Sequence, residues 1–260
     1  MNYGLYLSAS GVLTNMYRQD VYANNLANAQ TIGYKPDYPA IQLRQPEAIE
    51  DNAGLELRED LLDRIGGGAF AGPQAINFGV GRLEPTGNPM DVALSEPDRF
   101  FAVARTDPRT QQREVLLTRD GRFVRDAAGL LVTASGGHEV LDAQDSPIPL
   151  GDGPVQIDSA GNIQQDGEAI GRLQVASVDD LRALKKAGQN LFSLEGARRR
   201  PVDEARAVVS GFLEGSNVEP VHELVKLIEA TRAISMNSQM IQYHDGLMDR
   251  AVNVLGRVLA

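Results

Sequence analysis

The feature that most constrains this chain is a helical spacing of apolar and small residues at both of its ends. Near the C-terminus the positions alternate by three and four without interruption: Leu227, Ala230, Ile234, Asn237, Ile241, His244, Met248, Ala251, Leu255 and Val258. This spacing is typical of a helix face that packs along another helix. A second apolar row, from Ala233 to Val254, runs one position earlier. The apolar face is therefore wider than contact with one partner helix requires.

The N-terminal segment has the same spacing over a shorter length. The positions are Leu5, Ala9, Val12, Met16, Ala23 and Leu26, with Gln19 in the intervening place. Gly33, Lys35 and Pro36 follow as a helix stop. The C-terminal helix is predicted to begin within residues 216–220, either through a capping box or with proline in its first turn. We expect the two apolar faces to pack against each other as a coiled coil, with apolar surface left over for neighbouring subunits.

Between the two ends the spacing changes from helical to strand-like. Asp-Gly or Gly-Asn turns at Asp120, Asp158 and Asp166, and an Asp-Ala-Ala-Gly turn at Asp126, separate short apolar runs. This punctuation is typical of antiparallel β-hairpins. The fold class predicted from the sequence is therefore α+β, with a central antiparallel all-β domain between the terminal helices.

The predicted boundaries divide the chain into four consecutive segments. They are an N-terminal helix at 1–35, an extended linker at 36–80, the β domain at 81–210 and a C-terminal helix at 211–260. Within the linker, a short helix is predicted around residues 57–65, before a run of three glycines.

Composition excludes several function classes. The 260 residues carry a net charge of −10 and contain no cysteine. An acidic chain is a poor partner for nucleic acid, and the lack of cysteine excludes disulfides, Cys-ligated metals and a thiol nucleophile. We also predict no cofactor, no metal, no membrane insertion and no cleaved signal peptide, because the three histidines lack metal or triad spacing and no run of ~20 apolar residues occurs. An enzyme or sugar-binding β domain that dimerises through its helices remains the alternative from another class.

Residues 23–35, ANNLANAQTIGYK, carry the most specific signal in the chain. They resemble the A-N-N-L-A-N-x-x-T-x-G-[FY]-K signature of the bacterial flagellar axial proteins, the rod and hook family. Four further segments resemble the blocks of that family in the same order: TGNPMDVAL at 86–94, TRDGRF at 118–123, DAAGLLVT at 126–133 and GFLEGSNV at 211–218. Residues 95–99, SEPDR, depart from the glycine-rich turn that is usual there. The chain length favours a rod protein over a hook protein, although both a distal-rod and a hook-like protein stay open.

The resemblance implies a structural protein of the periplasmic flagellar rod, not an enzyme. It implies export through the flagellar type III apparatus without a cleaved signal, assembly with copies of itself and other axial proteins, and torque transmission from motor to hook. The predicted assembly interface comprises Leu5, Ala9, Val12, Met16, Ala23, Asn24, Asn25, Leu26, Asn28, Ser216, Asn217, Val218, Leu227, Ile234, Ile241, Met248 and Leu255. For the three asparagines, contacts with neighbouring subunits and hydrogen bonds at the helix end are both open.

Overall fold

The computed structural model describes residues 3–45, 66–106, 112–194, 199–202 and 208–255, with the backbone alone at 254–255. The short helix predicted around 57–65 lies outside these residues. The chain divides into two compact units, each of which combines segments that are distant in the sequence. Unit 1 comprises Met1–Ala27, Asp37–Ala75 and Glu219–Ala260, and unit 2 comprises Asn28–Pro36 and Ile76–Val218.

Unit 1 is built on two long helices. Helix α1 spans Tyr3–Ala27 and helix α2 spans Pro220–Leu255. Pro220 is the first residue of α2, where its missing N–H and fixed φ cost nothing. Short strands follow α1: β1 (Asp37–Tyr38), β2 (Ile41–Leu43) and β3 (Ala69–Ala71), then β4 (Ala75–Ile76) at the unit boundary. Strands β2 and β3, which lie within the segment predicted as an extended linker, pair antiparallel, and β3 lies beside α1.

Unit 2 is rich in β structure. Its strands are β5 (Leu83–Pro85), β6 (Val92–Ala93), β7 (Arg99–Thr106), β8 (Arg113–Thr118), β9 (Phe123–Arg125), β10 (Leu131–Thr133), β11 (Glu139–Val140), β12 (Val155–Ile157), β13 (Asn162–Gln165), β14 (Glu168–Arg172), β15 (Val175–Val178), β16 (Leu184–Gly188), β17 (Leu191–Leu194), β18 (Arg199–Pro201), β19 (Val209–Ser210) and β20 (Phe212–Glu214). One 3-10 turn, Leu181–Ala183, precedes β16.

The strands of unit 2 pair antiparallel throughout the described residues. The main sheet has the order β16-β17-β8-β7-β11-β10-β9, and β15 joins β7 to β18. A separate three-stranded sheet has the order β12-β13-β14, while β19 pairs with β6 and β20 with β5. The prediction of an α+β chain with terminal helices and an antiparallel β-rich centre is therefore confirmed.

Strand β7 organises the core because both of its faces are buried. Phe101 and Val103 belong to one apolar cluster, whereas Phe100 and Ala102 belong to a second cluster on the other face. In the second cluster the rings of Phe100, Phe78 and Phe192 have centroids 5.4–5.8 Å apart. A strand that is buried on both faces reads as a continuous apolar run, which is what residues 100–104 show.

Three of the four predicted hairpin turns are confirmed and one is wrong. Turns at Asp126, Asp158 and Asp166 connect strands that pair with each other. At Asp120 the chain passes from β8 to β9, which are not neighbours in the sheet. Gly121 is needed there for a close approach, because an added Cβ would lie 1.6 Å from the carbonyl oxygen of Val92. The glycine thus marks backbone contact rather than a hairpin.

Candidate assembly surfaces

The two helices of unit 1 run antiparallel in a constant register. A Cβ added at Gly4 would lie 2.7 Å from the ring of His244, and one added at Gly11 would lie 3.0 Å from the Asn237 amide. Seven residues along α1 thus correspond to seven residues back along α2. A hydrogen bond from Asn25 to Glu223 continues this register, because Asn25 lies fourteen residues after Gly11 and Glu223 lies fourteen residues before Asn237. Because the contacts recur at multiples of seven residues on both helices, the same face of each helix stays in contact with the other along their length.

On α1 the contact residues lie one position before the predicted ones. Gly4, Gly11 and Asn25 directly precede Leu5, Val12 and Leu26, and buried Ser8 precedes Ala9. The predicted residues flank the contact: Leu5, Ala9, Val12 and Leu26 are half-buried, and Met16 and Ala23 are exposed. The prediction was based on apolar residues and therefore chose the larger side chains beside the contact. The contact itself includes glycines, which let the helices approach closely. The line of Gly4, Ser8, Gly11 and Asn25 is called the polar seam below.

On α2 the predicted row does face α1. It contains Asn237 and His244, and Ala230 in the same row is buried. The predicted interface residues Leu227, Ile234 and Ile241 are half-buried on this face, and Met248 is 39% exposed. The side chain of Leu255 lies outside the described residues.

Asn25 joins three segments of unit 1 through hydrogen bonds. Its Nδ2 donates to the backbone oxygen of Asp37 at 2.8 Å and to Glu223 Oε2 at 3.1 Å, and its Oδ1 accepts from the Asp37 amide at 3.0 Å. The side chain is fully buried. Asn25 therefore makes intrachain hydrogen bonds near the helix end, which is one of the two roles that the sequence left open for it.

Lys226 completes this group. Its Nζ donates to Glu223 Oε1 at 2.7 Å and lies over the rings of Tyr22 and Tyr38, 5.7 and 5.4 Å from their centroids. Burial acts to lower the pKa of Lys226, but the hydrogen bond and charge of Glu223 outweigh it and leave that pKa raised. The ammonium thus stays charged where the two ends of the chain meet.

The remaining predicted interface residues near the helix ends have local partners or stay accessible. Asn24 is exposed and Asn28 is half-buried, with Asn28 Oδ1 accepting from Thr31 Oγ1 at 3.1 Å. Before α2, Val218 is buried and Ser216 is half-buried. Asn217 is half-buried, and its backbone amide donates to the oxygen of Tyr34 at 3.1 Å.

A buried charge cluster in unit 2 connects three of the sequence blocks. Lys35 Nζ lies 2.6 Å from Glu214 Oε1, and Arg119 Nε lies 3.1 Å from Glu214 Oε2. All three side chains are 0% exposed. Lys35 also donates to the oxygen of Gly79 at 2.7 Å, and the Gly81 amide donates to Glu214 at 2.7 Å. Lys35, Arg119 and Glu214 are called the charge cluster.

The backbone around the charge cluster is equally constrained. Gly33 has φ +67 and donates its amide to the oxygen of Glu214 at 2.7 Å. An added Cβ there would lie 2.6 Å from the carbonyl group of Arg119, so only glycine fits. Arg119 Nη1 donates to the oxygens of Glu96 and Arg99, each at 2.8 Å, in the turn that departs from the family pattern. The cluster thus fixes the segment after α1 to the β core.

Two cations share one carboxylate in this cluster. Burial, followed by the charge of Arg119, lowers the pKa of Lys35 from 10.5 to about 8, against the opposing attraction of Glu214. Burial also lowers the pKa of Arg119. All three residues lie in the family-like segments of the sequence, but the sequence predicts a role for Lys35 alone, as part of a helix stop. A partial signal was present, since Lys35 lies two residues after Gly33 and Glu214 lies between Leu213 and Gly215.

Apolar side chains also lie exposed along both helices. On α1, Leu13 is 68% exposed and Tyr6 and Met16 are about half-exposed. On α2, the exposed apolar residues are Val221, Leu224, Val225, Ile228, Met236, Met240, Tyr243, Leu247, Met248 and Val252. Exposed apolar side chains that recur along a helix are typical of an interaction surface. This construction is typical of a subunit in a larger protein assembly.

Over the residues with described placement, no group of three or more metal-ligating side chains occurs, and no helix is long and apolar enough to span a membrane. Family models match both ends of the chain. One, described as "Flagella basal body rod protein", covers residues 5–35, and another, described as "Flagellar basal body rod FlgEFG protein C-terminal", covers residues 209–254. These matches cover nearly all of α1 and α2 and include Lys35 and Glu214 of the charge cluster.

Full-length relatives agree with these matches. The chain is 31% identical to the flagellar basal-body rod protein FlgF of Caulobacter vibrioides, over 99% of this chain and 100% of that protein. It is 28% identical to FlgF of Rhizobium meliloti over 98% and 99%, and 30% identical to FlgG of Bacillus subtilis over 96% and 98%. The chain belongs to the family of flagellar basal-body rod proteins. That family is structural rather than enzymatic, as predicted from the sequence.

Proposed function

We propose that this chain is a structural subunit of the flagellar rod that assembles through its terminal helices and transmits torque from motor to hook. The observation that supports this function is the exposed apolar face on each helix of unit 1. In this proposal the terminal segments 1–35 and 211–260 supply the rod core. Residues 36–80 lead to the central β domain at 81–210.

The interface of the proposed assembly uses the outward residues of the predicted set. Leu5, Ala9, Val12, Met16 and Leu26 on α1, and Met248 on α2, keep surface that another subunit can cover. Within one subunit we propose that α1 and α2 pack as an antiparallel coiled coil, supported by the sevenfold register of Gly4, Gly11 and Asn25. The polar seam then fixes the register, and the apolar faces remain for neighbours.

Location and export follow from the same proposal. The subunit acts in the periplasmic part of the basal body and reaches it through the flagellar type III export apparatus, without a cleaved signal. Its partners are copies of itself and other rod and hook-basal-body proteins. The relatives named as such proteins and the lack of cysteine in the chain support this route, because an exported unfolded chain without thiols cannot crosslink.

Within the family we propose an FlgF-type role, with an FlgG-type or hook-like role as the alternative. The chain is 31% identical in sequence to one FlgF and 30% identical to one FlgG, so these identities do not separate the two roles. Imaging basal bodies from a strain that lacks this gene separates them. Loss of the proximal rod supports the FlgF-type role, and a truncated distal rod supports the FlgG-type role. Normal flagella contradict the proposed function.

A further inference from the structure

The segment after α1 and the segment before α2 are held to each other within unit 2. They are residues 28–36 and residues 211–218. The contacts between them run from the Gly33 amide to the Glu214 oxygen at 2.7 Å, from the Asn217 amide to the Tyr34 oxygen at 3.1 Å, and from Lys35 Nζ to Glu214 Oε1 at 2.6 Å. This set of contacts is called the latch.

The charges of the latch require both segments to dock together. Lys35 and Arg119 are fully buried and share one carboxylate, that of Glu214. If residues 28–36 docked without residues 211–218, the Lys35 ammonium would be buried with no carboxylate beside it, which is strongly unfavourable. The first segment would also lose the backbone acceptor that the second supplies. Docking of one segment therefore depends on docking of the other.

The latch lies close to both helices along the chain. Helix α1 ends at Ala27, seven residues before Tyr34. Helix α2 begins at Pro220, three residues after Asn217. With the latch open, as many as about 190 residues separate the two helix ends along the chain, and closing so long a loop costs conformational entropy. With the latch closed, only about ten residues lie between the helix ends and the nearest latch contact.

We propose that unit 2 closes first and that its latch then brings α1 and α2 together in their native register. Unit 2 has its own apolar core, whereas helices without partners are marginal in water. Effective concentration falls roughly as the −3/2 power of the connecting length, so the closed latch raises that of α1 near α2 by up to about eightyfold. The inference goes beyond the proposed rod function, because it concerns the folding of one chain.

The latch also distinguishes the native register from its alternatives. Because the helix contacts recur at multiples of seven, a slip by seven residues again brings polar seam positions opposite α2, displaced by about 10 Å. The hydrogen bond from Asn25 to Glu223 forms in one register only. It lies two residues before the end of α1 and three residues after the start of α2, so it is the helix contact nearest to the latch. Pairing that begins there continues in the native register.

Intrachain crosslinking of the purified full-length chain tests this inference, because the chain has no cysteine of its own. Gly11→Cys and Asn237→Cys are placed in one chain, since a Cβ at Gly11 lies 3.0 Å from the Asn237 amide. The rate of disulfide formation in dilute monomer then reports helix pairing. We expect Glu214→Gln, which opens the latch, to slow this reaction about tenfold. The matched control Glu168→Gln, at the exposed first residue of β14, is expected to change it less than about twofold.

A second cysteine pair reports the register. Gly11→Cys with His244→Cys joins positions that meet only after a slip by seven residues, since the native partner of His244 is Gly4. We expect this pair to crosslink in the Glu214→Gln background and not in the chain with Glu214. Crosslinking of this pair at equal rates in both backgrounds contradicts the role of the latch in the register.

A second latch variant separates the latch from the stability of unit 2. Gly33→Ala opens the latch sterically, because the added Cβ would lie 2.6 Å from the carbonyl group of Arg119. Amides of β7 that stay unexchanged during the reaction show that the core of unit 2 is still folded. Slower crosslinking of the Gly11 and Asn237 pair in both variants, with β7 unexchanged, supports the inference.

Two results overturn the inference. One is a crosslinking rate that stays within about twofold of the original in both latch variants. The other is slowing that occurs only when β7 also exchanges, because the fold of unit 2 as a whole, rather than the latch, would then bring the helices together. The rod function is tested separately by the deletion strain.

Discussion

Unit 1 and unit 2 bury apolar surface to very different degrees. In unit 2, two apolar clusters fill both faces of β7. In unit 1, the buried apolar side chains among the described residues are Val21, Tyr22 and Ala230. Helix faces without buried partners contribute little stability, since isolated helices are marginal in water. Unit 2 thus contains its own core, whereas unit 1 leaves apolar helix surface that we propose neighbouring subunits cover.

The largest effect expected in unit 2 comes from the charge cluster. Glu214→Gln leaves the cations of Lys35 and Arg119 buried without a carboxylate, which destabilises the unit by about 3–5 kcal/mol. Denaturant unfolding, with hydrogen exchange in β7 as the probe of unit 2, measures this change. The matched control Glu168→Gln, at the exposed first residue of β14, is expected to change stability by less than about 0.5 kcal/mol. Equal effects of the two variants contradict the role of the cluster.

A pH titration tests the burial of Lys35 in the charge cluster. The pKa of Lys35 is about 8 in the folded chain and 10.5 ordinarily, so between these values the unfolded chain binds the extra proton. Stability from this group therefore rises as pH increases from 8 to 10.5, by up to about 3 kcal/mol. The measurement is the difference in unfolding free energy between the chain with Lys35 and the Lys35→Met variant across this range. A flat or falling difference refutes the assignment.

The smallest effect is expected on the exposed apolar face of α2. Met236→Ala in the monomer changes the unfolding free energy by less than about 0.5 kcal/mol, because the side chain is mostly exposed. Phe101→Ala, the matched truncation in the β core, costs about 3–5 kcal/mol. Thermal unfolding of both variants tests the contrast. A large loss of monomer stability in Met236→Ala means that this face is already covered within one chain.

Sequence reasoning succeeded where a local pattern decides the structure. The spacing from Leu227 to His244 predicts the contact face of α2, and Asp166-Gly167 predicts a hairpin because both residues adopt positive φ there. It failed on α1, where the contact face is the polar seam. A search for apolar residues chooses Leu5 and Val12. It misses Gly4 and Gly11, because a glycine at a close helix contact has no apolar side chain that the sequence pattern could show.

The charge cluster and the Asn25 bonds could not be predicted for a different reason. Lys35 and Glu214 are 179 residues apart, and Asn25 and Glu223 are 198 apart. No periodicity connects such positions, and a single sequence does not indicate which charges become buried together. The role of Gly121 could not be predicted for the same reason. This glycine permits a close contact with Val92, which is distant in the sequence.

Hydrogen exchange can show whether unit 1, unlike unit 2, completes its core only on assembly, as we propose. Amide exchange is compared between the verified monomer and the same chain in isolated rods. We expect amides of α1 and α2 to exchange about a hundredfold more slowly in the rod, and those of β7 and β8 to change less than about threefold. Protection of both helices in the monomer equal to that of β7 contradicts the account.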